Sequence, residues 1–212
     1  RMLQPETRIM VMVKSFAYGS GSHEVAHLLQ YNKVDYLAVA YTDEGIALRE
    51  NNITLPIMVM NPSPDEFDKL WRYNLEPEIF NFRLLREFSA FEKRKTAEAK
   101  KVIPIHIALD TGMHRLGFEE FQVGELCDFL LTSELKVASV FSHLAGADEA
   151  VHDGFSDLQV SSFKNMADNI ENEIGYKVIK HVLNSAGITR LSHYQFDMVR
   201  LGIGLYGVEN GD

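Results

Sequence analysis

Apolar residues in this chain come in short runs, each followed by a longer stretch in which they recur every three or four positions. The first rhythm reads as buried strand and the second as amphipathic helix. The runs are Ile9 to Val13, Val34 to Ala40, Leu55 to Met60, Pro77 to Phe80, Ile103 to Leu109, Leu135 to Ser142, Val178 to Leu183 and Phe196 to Val199, the last continuing into Gly202-Ile203-Gly204. Helices are expected from Ser22, as cap, to Tyr31, from Thr42 toward Arg49, after the Pro62-Ser63-Pro64 turn through Trp71, and from Asn81 to near Lys100. Three more follow: Phe118 to Leu131, Ser156 to near Ile174, and a short one around Thr189.

Strands alternating with helices imply a parallel sheet. Eight such units in 212 residues fit an α/β fold closed as a (β/α)8, or TIM, barrel. A doubly wound sheet competes, but it usually uses fewer strands per domain. No Pro/Gly/Ser-rich linker divides the chain, so residues 1–212 read as one domain. Only Leu205 to Asp212 follow the eighth run, which leaves no closing helix, and the first residues look cut from a longer chain. The barrel is therefore expected to be truncated at both ends.

Composition narrows the partners. A net charge of -9 lacks the basic face that a nucleic acid requires. No apolar run approaches membrane-spanning length, so no membrane partner is expected. The sole cysteine, Cys127, makes no internal disulfide, and a cytoplasmic location is expected. Its helical surroundings read it as a small core residue. The eight histidines show no metal-ligand spacing.

Chemistry collects where the apolar runs end, which in a parallel barrel is the functional mouth. Lys14 closes the first run and opens the small-residue loop Ser15-Phe16-Ala17-Tyr18-Gly19-Ser20-Gly21. A strand-end lysine is costly to bury unless it is used, and such lysines serve as Schiff-base amines. Asp110 to Arg115 follow the fifth run, His143 the sixth, Asn184-Ser185-Ala186-Gly187 the seventh, and Arg200 and Gly202 lie in the eighth. The last two loops of a barrel often hold phosphate. The Ser185 hydroxyl, with close backbone approach at Gly187 and Gly202, suits an anion. A phosphate cradle and a strand-one lysine together imply a phosphorylated carbonyl held as an imine, and pyridoxal phosphate fits.

These segments resemble a known family. Val13-Lys14-Ser15-Phe16-Ala17-Tyr18-Gly19 is similar to the cofactor-lysine motif of alanine racemases, and Asp110-Thr111-Gly112-Met113-His114-Arg115-Leu116-Gly117 to their barrel arginine motif. Phe141-Ser142-His143-Leu144-Ala145, Asn184-Ser185-Ala186-Gly187 and Val199 to Gly207 match three further blocks, in family order. The resemblance covers nearly the whole chain, as the pyridoxal-phosphate barrel of that family, a fold type III architecture. It implies racemisation of L-alanine to D-alanine for peptidoglycan, in a homodimeric parent. Some members are fused behind a cell-wall ligase, and a start at Arg1 suits such a parent.

The resemblance also implies roles. Lys14 holds the cofactor and then acts as base for one enantiomer. Tyr18, Ser185 and the Gly202–Ile203 backbone bind the phosphate, and Asn184 is a further cofactor-binding residue. Arg115 contacts the phenolic oxygen of the ring, and Arg200, supported by His143, faces the pyridine nitrogen. The plainer alternatives are an Arg115–Asp110 ion pair and a core histidine at 143. His106 and His181 read as packing or surface residues, and Tyr206 as a packing residue. Many members carry a carbamylated lysine where this chain has Ala108, so support for Arg115 must come from elsewhere. The family's second base, a tyrosine of a C-terminal β-domain, is absent, so weak racemisation or none is expected of this chain. A competing reading is a non-catalytic pyridoxal-phosphate homeostasis protein of the same barrel; the Asp110 to Gly117 block favours the racemase.

Overall fold

The computed structural model describes residues 2–99 and 101–208, so Lys100 and the chain after Val208 lie outside the described residues. Eight strands form: β1 (Arg8–Met12), β2 (Tyr36–Val39), β3 (Ile57–Val59), β4 (Glu76–Ile79), β5 (Ile105–Ala108), β6 (Val137–Phe141), β7 (Ile179–His181) and β8 (Met198–Leu201). They run parallel in the order β7-β6-β5-β4-β3-β2-β1-β8. No regular ladder joins β7 to β8. Backbone bonds from Asp197 N to Lys180 O (3.1 Å) and Arg200 N to Leu183 O (2.9 Å) tie that seam, so the barrel is nearly closed.

Between the strands lie α1 (Lys14–Tyr18), α2 (Ser22–Tyr31), α3 (Thr42–Glu50), α4 (Phe67–Tyr73), α5 (Phe82–Ala99), α6 (Val123–Thr132), α7 (Asp153–Ile174) and α8 (Ser185–Arg190). Several boundaries depart from the periodic reading, α7 beginning at Asp153 and not Ser156. Gly21, not Ser22, occupies the cap position of α2, and no side chain caps it. Phe118 does not begin a helix but pairs with Leu109 as an isolated bridge, and α6 starts only at Val123. The cause is Gly117, whose φ of +126° turns the loop back onto the strand. A Cβ there would lie 2.6 Å from the Asp110 nitrogen.

Strand alternation separates two cores. Ile9, Val11 and Val13 face the helices, where Phe88 meets Phe67 edge-on at 5.0 Å. The opposite parity fills the barrel. Met10, Met12, Ala38, Met58 and Met198 make one side of the interior apolar. The other side is polar: Glu76, Glu78, His106, Ser139, His181 and Arg200 are all buried.

The mouth at the N-terminal ends of the strands is held by Arg49. Its guanidinium donates to the carbonyls of Ile53 (2.7 Å), Leu55 (2.7 Å), Tyr73 (2.9 Å) and Asn74 (2.9 Å), which lead into β3 and β4. Arg49→Met strands those carbonyls and should lower unfolding free energy by about 3 kcal/mol in urea titration. Ligand binding at the opposite mouth should be unchanged in the folded variant.

Candidate cofactor site

The chain leaves β1 in an uncommon conformation. Ser15, Phe16, Ala17 and Tyr18 have φ of 53°, 57°, 50° and 54°, so α1 winds left-handed. Each such residue costs roughly 1–2 kcal/mol, and strain of this kind gathers at functional sites. Backbone bonds from Ala17 N to Val13 O (3.1 Å) and Gly21 N to Phe16 O (3.2 Å) hold the turn. The Glu44 carboxylate anchors it by accepting from Ser15 N at 2.7 Å, while its other oxygen accepts from Ala40 N at 2.7 Å.

The turn aims Lys14 and Tyr18 at one cavity of about 370 Å³. Arg115, His143, Asn184 and Ser185 line it as well, with Arg200, Gly202 and Ile203. These residues border the same space on the C-terminal mouth, whereas Gly187, expected to let an anion approach, does not line it and gives its amide to Asn184. A second lobe of about 280 Å³ shares Lys14, Arg115, His143 and Arg200 and adds Glu78 and Ala108. Such volumes suit a small molecule.

The phosphate end is built from three segments. Ser185 Oγ accepts from Gly202 N (2.9 Å) and Gly204 N (3.1 Å), which leaves its own proton to donate outward. Asn184 uses its side-chain oxygen on Gly187 N at 2.9 Å, so it caps α8 and sets Ser185 in place. The Ile203 amide opens a 3-10 turn (Ile203–Tyr206) and has no intrahelical partner. Burial raises the Tyr18 hydroxyl pKa, so it stays a donor. Its ring rests on Tyr206 at 5.3 Å, which gives Tyr206 the packing role expected of it.

The other end is built around Arg200. Its Nη1 donates to His181 Nδ1 (2.9 Å) and His181 O (3.2 Å). Its Nη2 faces Ser142 O (2.7 Å), Val182 O (3.2 Å) and His143 Nδ1 (3.4 Å). The terminal donors are therefore used, and Nε–H is the one without a hydrogen bond among the described residues. Burial, together with the charges of Arg200, Arg115 and Lys14, drives the His143 pKa down to about 3. His181 is also held well below its ordinary value, first by burial and then by Arg200. Both imidazoles are neutral acceptors. Burial lowers the Arg200 pKa only to about 10, so the guanidinium stays charged.

A family model described as "Alanine racemase, N-terminal domain" matches residues 1–210. The chain belongs to the alanine racemase family. It is 35% identical over 209 residues to the alanine racemase of Carboxydothermus hydrogenoformans, covering 98% of this chain and 55% of that one. It is 35% identical over 211 residues to the serine/alanine racemase of Enterococcus gallinarum, covering 98% of this chain and 29% of that one. A solved alanine racemase of Clostridium difficile 630 matches with a TM-score of 0.89 and 35% identity, over 97% of this chain and 53% of that one. The chain spans about half the length of the alanine racemases it matches.

Enzymes of the alanine racemase family use pyridoxal 5'-phosphate. The geometry fits that group. A Cβ on Gly202 would lie 3.0 Å from Tyr18 Oη, tighter than ordinary contact, and 3.7 Å from Ser185 Oγ, so a side chain there crowds the Tyr18 hydroxyl. Asp110 accepts from Gly112 N (2.9 Å) and His114 N (3.0 Å). Among the described residues it makes no ion pair with Arg115, an exposed residue that lines the cavity. Cys127 is buried in α6, and burial raises its thiol pKa to about 11, which suits an inert core position.

The sequence reading missed the residues behind Arg200. His106 and His181 are fully buried, not surface groups. Arginine only donates, so the His181 proton must sit on Nε2, 3.0 Å from Ser139 Oγ. The serine hydroxyl then turns to His106 Nδ1 (2.7 Å), and His106 Nε2 donates to Glu76 Oε2 (2.9 Å). A chain of donors and acceptors thus runs through the barrel to Arg200. The available signal was parity, since these polar residues occupy alternate positions of apolar strands. Gly202→Ala should weaken pyridoxal-phosphate binding about tenfold or more in equilibrium dialysis while leaving the far-ultraviolet circular dichroism unchanged. An unaltered affinity would contradict the cradle.

Proposed function

We propose that this chain is the cofactor-binding barrel of an alanine racemase that interconverts L- and D-alanine for peptidoglycan, within a homodimeric parent. The observation that carries the reading is the convergence of Lys14, Tyr18, Ser185, Ile203 and Arg200 on one cavity. When bound, pyridoxal phosphate supplies an aldehyde for an amine and a ring that withdraws electrons from the substrate Cα.

The residues divide the work. Tyr18 and Ser185 hydroxyls and the Ile203 amide donate to the phosphate. Arg115 donates to the phenolic oxygen. Arg200 offers Nε–H to the pyridine nitrogen. A guanidinium keeps its own protons, so Arg200 would leave that nitrogen unprotonated and the ring a weaker electron sink. Such an environment would favour return of a proton to Cα over its misplacement elsewhere. Lys14 Nζ takes and returns the proton on one face of Cα. The base for the other face is expected from a tyrosine of the partner subunit's C-terminal β-domain, as the family resemblance implies.

Alanine is the substrate favoured by the named relatives, and the match to a serine/alanine racemase keeps serine as a second candidate. The test is solvent deuterium exchange at Cα, which needs only one base. With pyridoxal phosphate added, the chain should exchange D-alanine, and Lys14→Ala should slow this about a thousandfold. Exchange of L-alanine alone would contradict the role given to Lys14.

A further inference from the structure

One carboxylate in the cavity has no part in the roles above. Glu78 lies on β4, only 4% exposed, and opens to the lobe lined by Lys14, Arg115 and Arg200. Two positions earlier on the same strand, Glu76 is engaged with His106. Glu78 makes no hydrogen bond among the described residues. An ionised carboxylate held out of water needs a partner.

The surroundings indicate which partner. On β5, Glu78 pairs in register with His106, and the next inward residue toward the mouth, Ala108, contributes only a methyl. That leaves open space between the Glu78 carboxylate and the loop after β5, where Arg115 stands. Arg200 has its terminal donors occupied by His181, Ser142 and Val182. Arg115, which is exposed, makes no hydrogen bond or ion pair among the described residues. Asp110, the other acid facing the lobe, holds two backbone amides on Oδ1 and has His114 Nδ1 3.9 Å from Oδ2, and it makes no ion pair with Arg115 among the described residues. Burial pushes the Glu78 carboxyl up to about 8, with Arg200 and then Arg115 pulling it back.

We propose that Glu78 is a positioning residue that pairs with Arg115 across Ala108 and directs its guanidinium onto the phenolic oxygen of the cofactor ring. This rests on the cofactor reading above. Part of the Arg115 fork binds the carboxylate and the rest is presented to the ring. Pairing with Arg115 lowers the raised Glu78 pKa, and the carboxylate form then offsets the positive charge of Lys14, Arg115 and Arg200 beside a neutral His143.

The test uses the full chain, pyridoxal phosphate, and 3-deoxypyridoxal phosphate, which lacks the phenolic oxygen. In equilibrium dialysis the unaltered chain should prefer pyridoxal phosphate by about tenfold. Glu78→Gln should lose that preference while keeping its affinity for the deoxy compound, and Glu78→Asp should recover part of it. In an Arg115→Gln background, Glu78→Gln should change nothing further. A Glu78→Gln chain that keeps the full preference overturns the proposal. Equal loss of both ligands overturns it too, since that marks a structural role. If the unaltered chain binds neither compound, the cofactor reading itself fails, and this inference with it. Should Glu78→Gln not fold, the carboxyl carbon-13 resonance of Glu78 replaces it. Its titration midpoint must rise on Arg115→Gln, and an unmoved midpoint overturns the pairing.

Discussion

Arg200 carries its charge into the barrel interior, and among the described residues no carboxylate hydrogen-bonds it there. Backbone carbonyls of β7 and of the loops after β6 and β7, with two neutral imidazoles, take its terminal donors. A buried ion is tolerable only when its hydrogen-bonding capacity is met. Meeting it with neutral acceptors has a consequence. The guanidinium is fixed in orientation, its charge is not cancelled at contact, and Nε–H makes no hydrogen bond among the described residues. The polarity of the side chains behind it follows, because a residue that only donates dictates the proton position of His181 and, through Ser139, of His106.

The same division of labour shapes the whole barrel. Methionines and small residues fill one side of the interior, while the polar side from β4 to β8 supports the site. The left-handed turn after β1 contributes the remaining constraint. It spends conformational energy to bring a lysine and a tyrosine from a five-residue segment onto one mouth, and Glu44 holds it there. Arg49, at the other mouth, stabilises loops that no cofactor touches.

Much of this was legible in the sequence, for identifiable reasons. Lys14, Ser185 and Arg200 could be placed together because parallel strands all end at one mouth. The strands themselves stood out because buried parallel strands are continuous apolar runs. The left-handed turn could not be read, since Ser, Phe, Ala and Tyr have no preference for that conformation and only Gly19 and Gly21 hinted at it. His106, His181, Glu76 and Glu78 were hidden because parity within a strand does not say which face is interior until the register is known. Phe118 looked helical because its run of spacing continued into α6; the glycine before it overrode that rhythm.

The central claim is that one cavity joins the Lys14 amine to an anion cradle after β7 and β8. Its most direct test is borohydride reduction of the chain incubated with pyridoxal phosphate, followed by mass-spectrometric peptide mapping. At one equivalent of cofactor, a single phosphopyridoxyl label on Lys14 is predicted. Labels spread over surface lysines, with Lys14 unmodified, would contradict the account.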